Sequence, residues 1–179
     1  MSGTIVADET WIGGDPKNRH GARYGKGTKG QTDKQPVLSL ILKESGEVRS
    51  QVVPTVRGPH LRQVIDAQVD VANSDLHTDS AKVYIGMGED FANHESVNHF
   101  KAEYVRGDVS TNQAENYFSQ LKRSLDGTHH AVSVEHLPRY LAQFDFMYTH
   151  CDDTDSQRMR TLLRRVGGRR LTYKPLTAG

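Results

Sequence analysis

The sequence contains a single cysteine, Cys151, so it can form neither an intrachain disulfide nor a cysteine-based zinc cluster. It has no apolar run approaching the roughly 20 residues of a membrane-spanning helix, and its N-terminus shows no signal-peptide pattern. Hydrophobic residues make up only 35% of the 179 residues, which favours helices and loops with large polar faces. These absences exclude a disulfide-stabilised fold, and we expect a cytoplasmic location and no membrane partner.

The net charge is only +1, but the basic residues are concentrated in two segments. Residues 17–34 carry six lysines and arginines against one aspartate, and they lie within residues 13–35, which we interpret as a basic, Gly-rich loop. Residues 156–179 carry seven lysines and arginines and no acidic residue. We expect one domain over residues 1–150 and a basic C-terminal tail over residues 151–179, irregular from Arg164 onward. Each basic segment is either a contact to a polyanion or solvated surface.

The segment Asn112–Leu125 predicts a helix, with Thr111 or Asn112 as its N-cap. Apolar residues recur at three- and four-residue spacing and give it one buried face: Ala114, Tyr117, Phe118, Leu121 and Leu125. Glu115 lies in the first turn, and Lys122 follows seven residues later, so both side chains project from the same side of the helix. A carboxylate and an amine aligned in this way suit a site that holds a metal ion and, farther along, a phosphate chain.

Two aspartates are candidate partners of Glu115. Asp8 follows the β-prone run Thr4–Ala7, and we place it at the carboxyl end of that strand, where ligand sites gather in open α/β sheets. Asp79 follows the predicted strand Ser74–Thr78, with 35 residues between it and Glu115. Carboxylate oxygens are ligands that Mg²⁺ and Mn²⁺ prefer. Two such ions, roughly 3.5–4 Å apart, can activate an attacking oxygen and stabilise a leaving one at a phosphodiester.

The other elements follow from periodicity and turn residues. Pro36–Leu42 and Glu47–Val53 predict a hairpin that turns at residues 44–46, and the strand that precedes Asp8 is expected to pair beside it. We also predict a helix over Pro59–Val71, a helix or turn over Ala81–Phe91, a short strand between His94 and Val105, a turn at Asp126-Gly127 and a helix from Ser133 through Met147.

The order and spacing of these residues resemble a known family. Asp8, Asp79 and Glu115, with a basic residue seven positions after the glutamate, look like the DDE signature of cut-and-paste DNA transposases and retroviral integrases. Four segments narrow the resemblance to the ISXO-2-like transposases, the insertion-sequence family numbered 1595: DETWIGG, HTDSAKVY, NQAENYFSQLKRSLDGTHHAVSVEHLPRYLAQFDF and GGRRLTYKP. The likeness extends from about Val6 to Pro175.

This resemblance implies an α/β fold of the RNase H-like, retroviral integrase type, with a mixed sheet flanked by helices. It implies that Asp8, Asp79 and Glu115 are the catalytic residues and the ligands of two Mg²⁺ ions, for which Mn²⁺ can substitute. The implied activity is DNA strand cleavage and strand transfer of an insertion sequence. The implied partners are transposon ends, target DNA and further copies of the chain in a homodimer or higher oligomer. The implied location is bacterial and nucleoid-associated.

Several side chains are candidates for contact with DNA, and each could instead be ordinary surface. They are Lys122, Arg123, Lys26, Lys29, His129 and His130. Adjacent histidines point apart on most backbones, so the last two favour DNA contact or a structural role over metal binding. His77, two residues before Asp79, is a weaker catalytic candidate. Glu9 faces away from Asp8 by strand alternation, and we expect it to form a salt bridge at the strand end.

Two other functions fit the same residues. One is a nuclease of this fold that cleaves RNA–DNA hybrids or DNA junctions without joining strands, and the other is a transposase remnant that binds DNA without cutting it. Relatives usually carry an N-terminal zinc ribbon or DNA-binding region, and none precedes the first strand here. The expectation is therefore a catalytic core, a truncated reading frame or an excised segment.

Overall fold

A computed structural model describes residues 1–13, 34–79, 81–84, 86–97, 105–106, 109–129 and 132–168 of the chain. Its five main strands are β1 (Gly3–Ile12), β2 (Gln35–Leu42), β3 (Val48–Val52), β4 (Ser74–Asp79) and β5 (Asn93–Val97). They form one mixed sheet in the order β3-β2-β1-β4-β5. The pairs β1–β2 and β2–β3 are antiparallel, whereas β1–β4 and β4–β5 are parallel. Strands β6 (Val105–Arg106) and β7 (Val109–Ser110) form a small separate sheet.

The described helices are α1 (Gly58–Gln68), α2 (Asn112–Ser124), α3 (Leu137–Thr149) and α4 (Asp155–Val166). A π-helical turn over Leu125–His129 continues α2, and short 3-10 turns cover Val71–Asn73, Lys82–Tyr84 and Met87–Asp90. The mixed sheet flanked by helices is the expected α/β, RNase H-like fold. Within the described part of the chain, none of the helices is long and apolar enough to cross a membrane.

The centre of the sheet is apolar on both faces. In β1, Ile5, Val6 and Ala7 are all fully buried, as expected for a central strand that reads as a continuous apolar run. The α1 face holds one cluster of buried apolar side chains, which includes Ile5 and Ala7 of β1 and Leu61 and Ile65 of α1. The opposite face holds a second cluster, in which Val6 packs with side chains of α2 and α3.

Most of the predicted elements are present, with shifted ends. The hairpin is confirmed, and its turn places Gly46 at a φ of 71°, a left-handed conformation that favours glycine. The predicted helix over Pro59–Val71 ends at Gln68, where Val69 turns to extended backbone. Residues 126–127 lie in the π-helical turn rather than in a simple turn. The basic loop lies outside the described residues over 14–33, and Gln35 already belongs to β2.

Helix α4 was not predicted, and the expectation of irregular structure from Arg164 is wrong as far as Val166. A capping box begins the helix, because Thr154 Oγ1 accepts the Gln157 N–H while the Gln157 side chain accepts the Thr154 N–H. No residue of α4 is buried. The division into a domain over residues 1–150 and a tail over residues 151–179 stays a prediction.

Candidate active site

The sequence predicted that Asp8 lies at the end of its strand, and this prediction is wrong. β1 continues to Ile12 because Glu9–Ile12 pair with Gln35–Leu38 of β2. The parallel pairing with β4, however, ends at Val6 and His77. Asp8 therefore lies just beyond the carboxyl end of the parallel part of the sheet. The prediction had placed Asp8 at a carboxyl end because the strand itself was expected to stop there.

Strand alternation places the predicted acids on one face of the sheet. Val6 packs on the face covered by α2 and α3, so Asp8, two residues later, projects toward the same face. His77 pairs with Val6 in parallel register, and Asp79, two residues beyond it, ends β4 on that face as well. Glu115 lies in the first turn of α2, the helix that packs on this face of the sheet. The fold thus brings the two aspartates and the helix that bears Glu115 to one place.

The electrostatics of Asp8 indicate that these carboxylates are close neighbours. Burial raises the pKa of Asp8 from 3.8 to about 7, and the negative charges of Glu9, Asp79 and Glu115 act in the same direction. A hydrogen bond of 2.8 Å from the Glu9 N–H to Asp8 Oδ1 opposes this rise. An ionised Asp8 is therefore unfavourable unless a positive charge joins it.

The donor set fits a hard divalent cation, although the side chains are not arranged as ligands. Among the described residues, no three His, Cys, Asp or Glu side chains converge closely enough to hold a metal ion. Asp79 Oδ1 accepts a hydrogen bond of 2.9 Å from the Ala81 N–H, and the Glu115 side chain is exposed. Carboxylate oxygens that lie close together are the ligands that Mg²⁺ and Mn²⁺ prefer.

Glu9 projects toward the other face of the sheet, as predicted, but its partner is not a basic residue. Its carboxylate accepts a hydrogen bond from the hydroxyl of Tyr84, which is 1% exposed. Burial raises the pKa of both groups. The expected salt bridge was wrong because the 3-10 turn after β4 delivers a buried tyrosine to this position.

The residues around Asp79 include two histidines. His77 is 6% exposed and lies on the face of the predicted acids, so a catalytic role for it stays a prediction. His94 Nε2 lies 3.0 Å from Thr78 Oγ1, and burial and the charge of His77 lower the pKa of His94.

The N-terminus of α2 is held by the backbone of the preceding residues. Thr111 occupies the N-cap position, one of the two that were predicted, but its side chain makes no capping hydrogen bond. Its carbonyl accepts the Glu115 N–H at 3.1 Å, and Ser110 Oγ accepts the Asn112 N–H at 3.0 Å. The turn that carries Glu115 is therefore regular helix.

The candidate DNA contacts are only partly described. Lys122 and Arg123 are exposed on α2. The ring of His129 packs against Tyr140, with 4.5 Å between ring centroids. Lys26, Lys29 and His130 lie outside the described residues. Contact with DNA stays a prediction for all of these candidates.

Three aromatic side chains of α3 pack against the second apolar cluster, namely Tyr140, Phe144 and Tyr148. Phe146 lies elsewhere, with the Arg165 guanidinium 5.2 Å from its ring centre. Sequence reasoning overlooked Asp145, which is 8% exposed. A signal was present, since Asp145 continues the four-residue spacing of the buried Leu137 and Leu141.

A mixed sheet of this order, with acids from β1, β4 and the following helix on one face, defines a domain of the RNase H-like class. The family model described as ISXO2-like transposase domain matches residues 1–149, and the chain belongs to that family. Comparison with curated proteins found no match.

Proposed function

We propose that the chain is the catalytic domain of a transposase that cleaves DNA strands and joins them to a target. The observation that carries the proposal is the electrostatic state of Asp8, a mostly buried carboxyl whose pKa is raised by burial and by the neighbouring charges of Asp79 and Glu115. Membership of a transposase family makes DNA the natural substrate. A site that favours a cation among carboxylates matches the chemistry of phosphodiester cleavage.

Asp8, Asp79 and Glu115 are the proposed ligands of two Mg²⁺ ions, with Mn²⁺ able to replace them. Bound there, the ions supply the positive charge that activates an attacking oxygen and stabilises a leaving one. The chain contributes placement, because two ligands come from adjacent strands of a rigid sheet and the third from a helix packed on that sheet.

The proposed reaction has two steps at this site. In the first, a water oxygen bonds to phosphorus at the end of the element, the bond from phosphorus to the 3′ oxygen breaks, and the proton from water ends on the freed 3′-hydroxyl. In the second, that hydroxyl bonds to a phosphorus of target DNA, whose own 3′ oxygen leaves and takes the proton. Lys122 and Arg123, exposed on the Glu115 helix, are proposed to hold the phosphates.

The test compares wild type with Asp8→Ala on a duplex that carries the DNA flanking the coding sequence, in the presence of Mg²⁺ or Mn²⁺. We expect cleavage by wild type and none by Asp8→Ala. Asp152→Ala, which removes an exposed carboxylate beyond α3, is the matched control and should cleave normally. Full activity of Asp8→Ala would contradict the proposed site.

A second measurement separates strand transfer from simple hydrolysis. A pre-cleaved DNA end is incubated with supercoiled plasmid, and joined products are resolved on a gel. Joining supports a transposase, whereas cleavage without joining identifies a nuclease of the same fold. Salt-sensitive DNA binding without any metal-dependent cleavage identifies a non-catalytic remnant.

A further inference from the structure

A buried hydrogen-bond network lies beneath the helix that carries Glu115. Tyr117 is fully buried within the second apolar cluster, and its hydroxyl donates a 2.5 Å hydrogen bond to Asp145 Oδ1 of α3. The same hydroxyl lies 2.8 Å from Ser50 Oγ of β3. One side chain of α2 is therefore bonded to another helix and to the sheet at once.

The Asp145 carboxylate completes the network with its second oxygen. Oδ2 accepts a 2.7 Å hydrogen bond from the backbone N–H of Ser50. Burial raises the pKa of Asp145, and the hydrogen bonds from Tyr117 and Ser50 lower it. The carboxylate accepts hydrogen bonds from a strand backbone and from a phenol. It therefore constrains the distance of α3 from β3 and from α2.

The network continues across the sheet toward Asp8. Ser50 Oγ lies 2.8 Å from Ser39 Oγ, and these two residues are cross-strand partners in β3 and β2. Ser39 is fully buried and is itself the cross-strand partner of Asp8 in β1. Asp8, Ser39 and Ser50 thus form a polar row on the face that α2 covers, between the apolar positions of the same strands.

Directional bonds constrain α2 in a way that its apolar contacts do not. Ala114, Phe118 and Leu121 bury the helix, but the hydrophobic effect that drives this burial is non-directional and does not by itself select one rotation of the helix. Hydrogen bonds weaken steeply as their angles change. The hydrogen bonds of Tyr117 therefore constrain the rotation of α2 about its axis and its distance from the sheet. Glu115 lies only two residues before Tyr117 on the same regular helix, and its backbone position is set with it.

We propose that Tyr117 and Asp145 are positioning residues that hold Glu115 in register with Asp8 and Asp79. The inference rests on the proposed function, since it assigns the network a role in building the metal site. Neither residue is proposed to touch DNA or an ion. Outer-shell partners that orient ligands commonly change metal affinity by 10–100-fold when they are removed.

The experiment measures Mn²⁺ binding to metal-free protein by electron paramagnetic resonance, for wild type, Tyr117→Phe and Tyr148→Phe. Tyr117→Phe removes the bonded hydroxyl and keeps the ring. Tyr148→Phe is the matched control, because Tyr148 packs against the same cluster and its hydroxyl makes no hydrogen bond within the described residues. We expect Mn²⁺ affinity to fall about tenfold in Tyr117→Phe and to stay unchanged in the control.

Amide hydrogen exchange of the metal-free proteins provides a second readout. Exchange over residues 112–118 should be faster in Tyr117→Phe than in Tyr148→Phe, because only the first variant removes the hydrogen bonds that fix this turn. Should Tyr117→Phe fail to fold, Ser50→Ala removes one hydroxyl of the network, leaves the bond from Tyr117 to Asp145, and is judged by the same two measurements.

The outcomes separate the inference from the proposed function. If wild type and Asp8→Ala bind Mn²⁺ equally well, or neither binds it, the proposed function is overturned. If Mn²⁺ binding depends on Asp8 but Tyr117→Phe has the same Mn²⁺ affinity and the same amide exchange as wild type, only the positioning role is overturned.

Discussion

The hydroxyl of Thr149 accepts a 3.0 Å hydrogen bond from the backbone N–H of Val48, at the outer edge of the sheet. Asp145, one turn earlier in α3, does the same for Ser50, two residues along β3. The spacings match, since four helical residues rise about 6 Å and two strand residues about 6.6 Å. Helix α3 thereby satisfies an edge strand that would otherwise present free donors to another chain.

Thr149→Val should destabilise the protein by about 1–2 kcal/mol, because it leaves the Val48 N–H without its acceptor. Urea unfolding at neutral pH measures the change. Thr149→Ser is the control, since it keeps the hydroxyl, and it should unfold closer to wild type. Equal stability of Thr149→Val and Thr149→Ser would show that the hydrogen bond contributes nothing.

Asp8→Asn should stabilise the metal-free protein, and the gain should depend on pH. The pKa of Asp8 rises from 3.8 to about 7 on folding, so its contribution to stability is fully present below about pH 4 and is lost as the pH rises to about 7. Above that pH the folded state bears an unfavourable buried charge that asparagine lacks. The difference between the two proteins should reach roughly 3–4 kcal/mol.

Urea unfolding of wild type and Asp8→Asn in EDTA, from pH 4 to pH 8, measures this difference. Glu9 and Asp145 also have raised pKa values, so the difference between the proteins isolates Asp8 better than either curve alone. A difference that is the same at pH 5 and pH 8 would contradict the raised pKa.

Replacing both Lys122 and Arg123 with alanine should weaken DNA binding equally for unrelated sequences, because phosphate contacts carry no base information. The slope of log K against log salt should become shallower by about 0.9 for each phosphate that the variant no longer neutralises. Fluorescence anisotropy at several salt concentrations measures the slope. Arg57→Ala, an exposed residue at the start of α1 on the other face of the sheet, is the control and should leave the slope unchanged.

Leu141→Ala should cost about 2–5 kcal/mol, because Leu141 is fully buried between α3 and the sheet and its removal leaves a cavity. Leu163→Ala is the matched control, since Leu163 is 61% exposed on α4. It should change stability by less than about 0.5 kcal/mol. A similar large loss in both variants would mean that α4 is covered in solution.

The elements that the sequence predicted correctly are those whose signals are local. The apolar periodicity of α2, the turn residues of the β2–β3 hairpin and the apolar run of β1 each act within a few residues, so each was readable without the fold. The end of β1 was misplaced because its length depends on pairing with β2, a contact across more than 20 residues of chain. Helix α4 was missed because the segment was interpreted only as a basic tail, and the capping box at Thr154 and Gln157 was overlooked.

The sequence by itself determined the family resemblance and the identity of the candidate acids, because residue type and spacing are properties of the chain. Only the tertiary structure decided how those acids affect one another. Burial and three neighbouring charges raise the pKa of Asp8, and neither burial nor distance across the sheet is encoded in local pattern. The same holds for Tyr117 and Asp145, because only the packing of α2 against α3 places the Tyr117 hydroxyl 2.5 Å from Asp145 Oδ1.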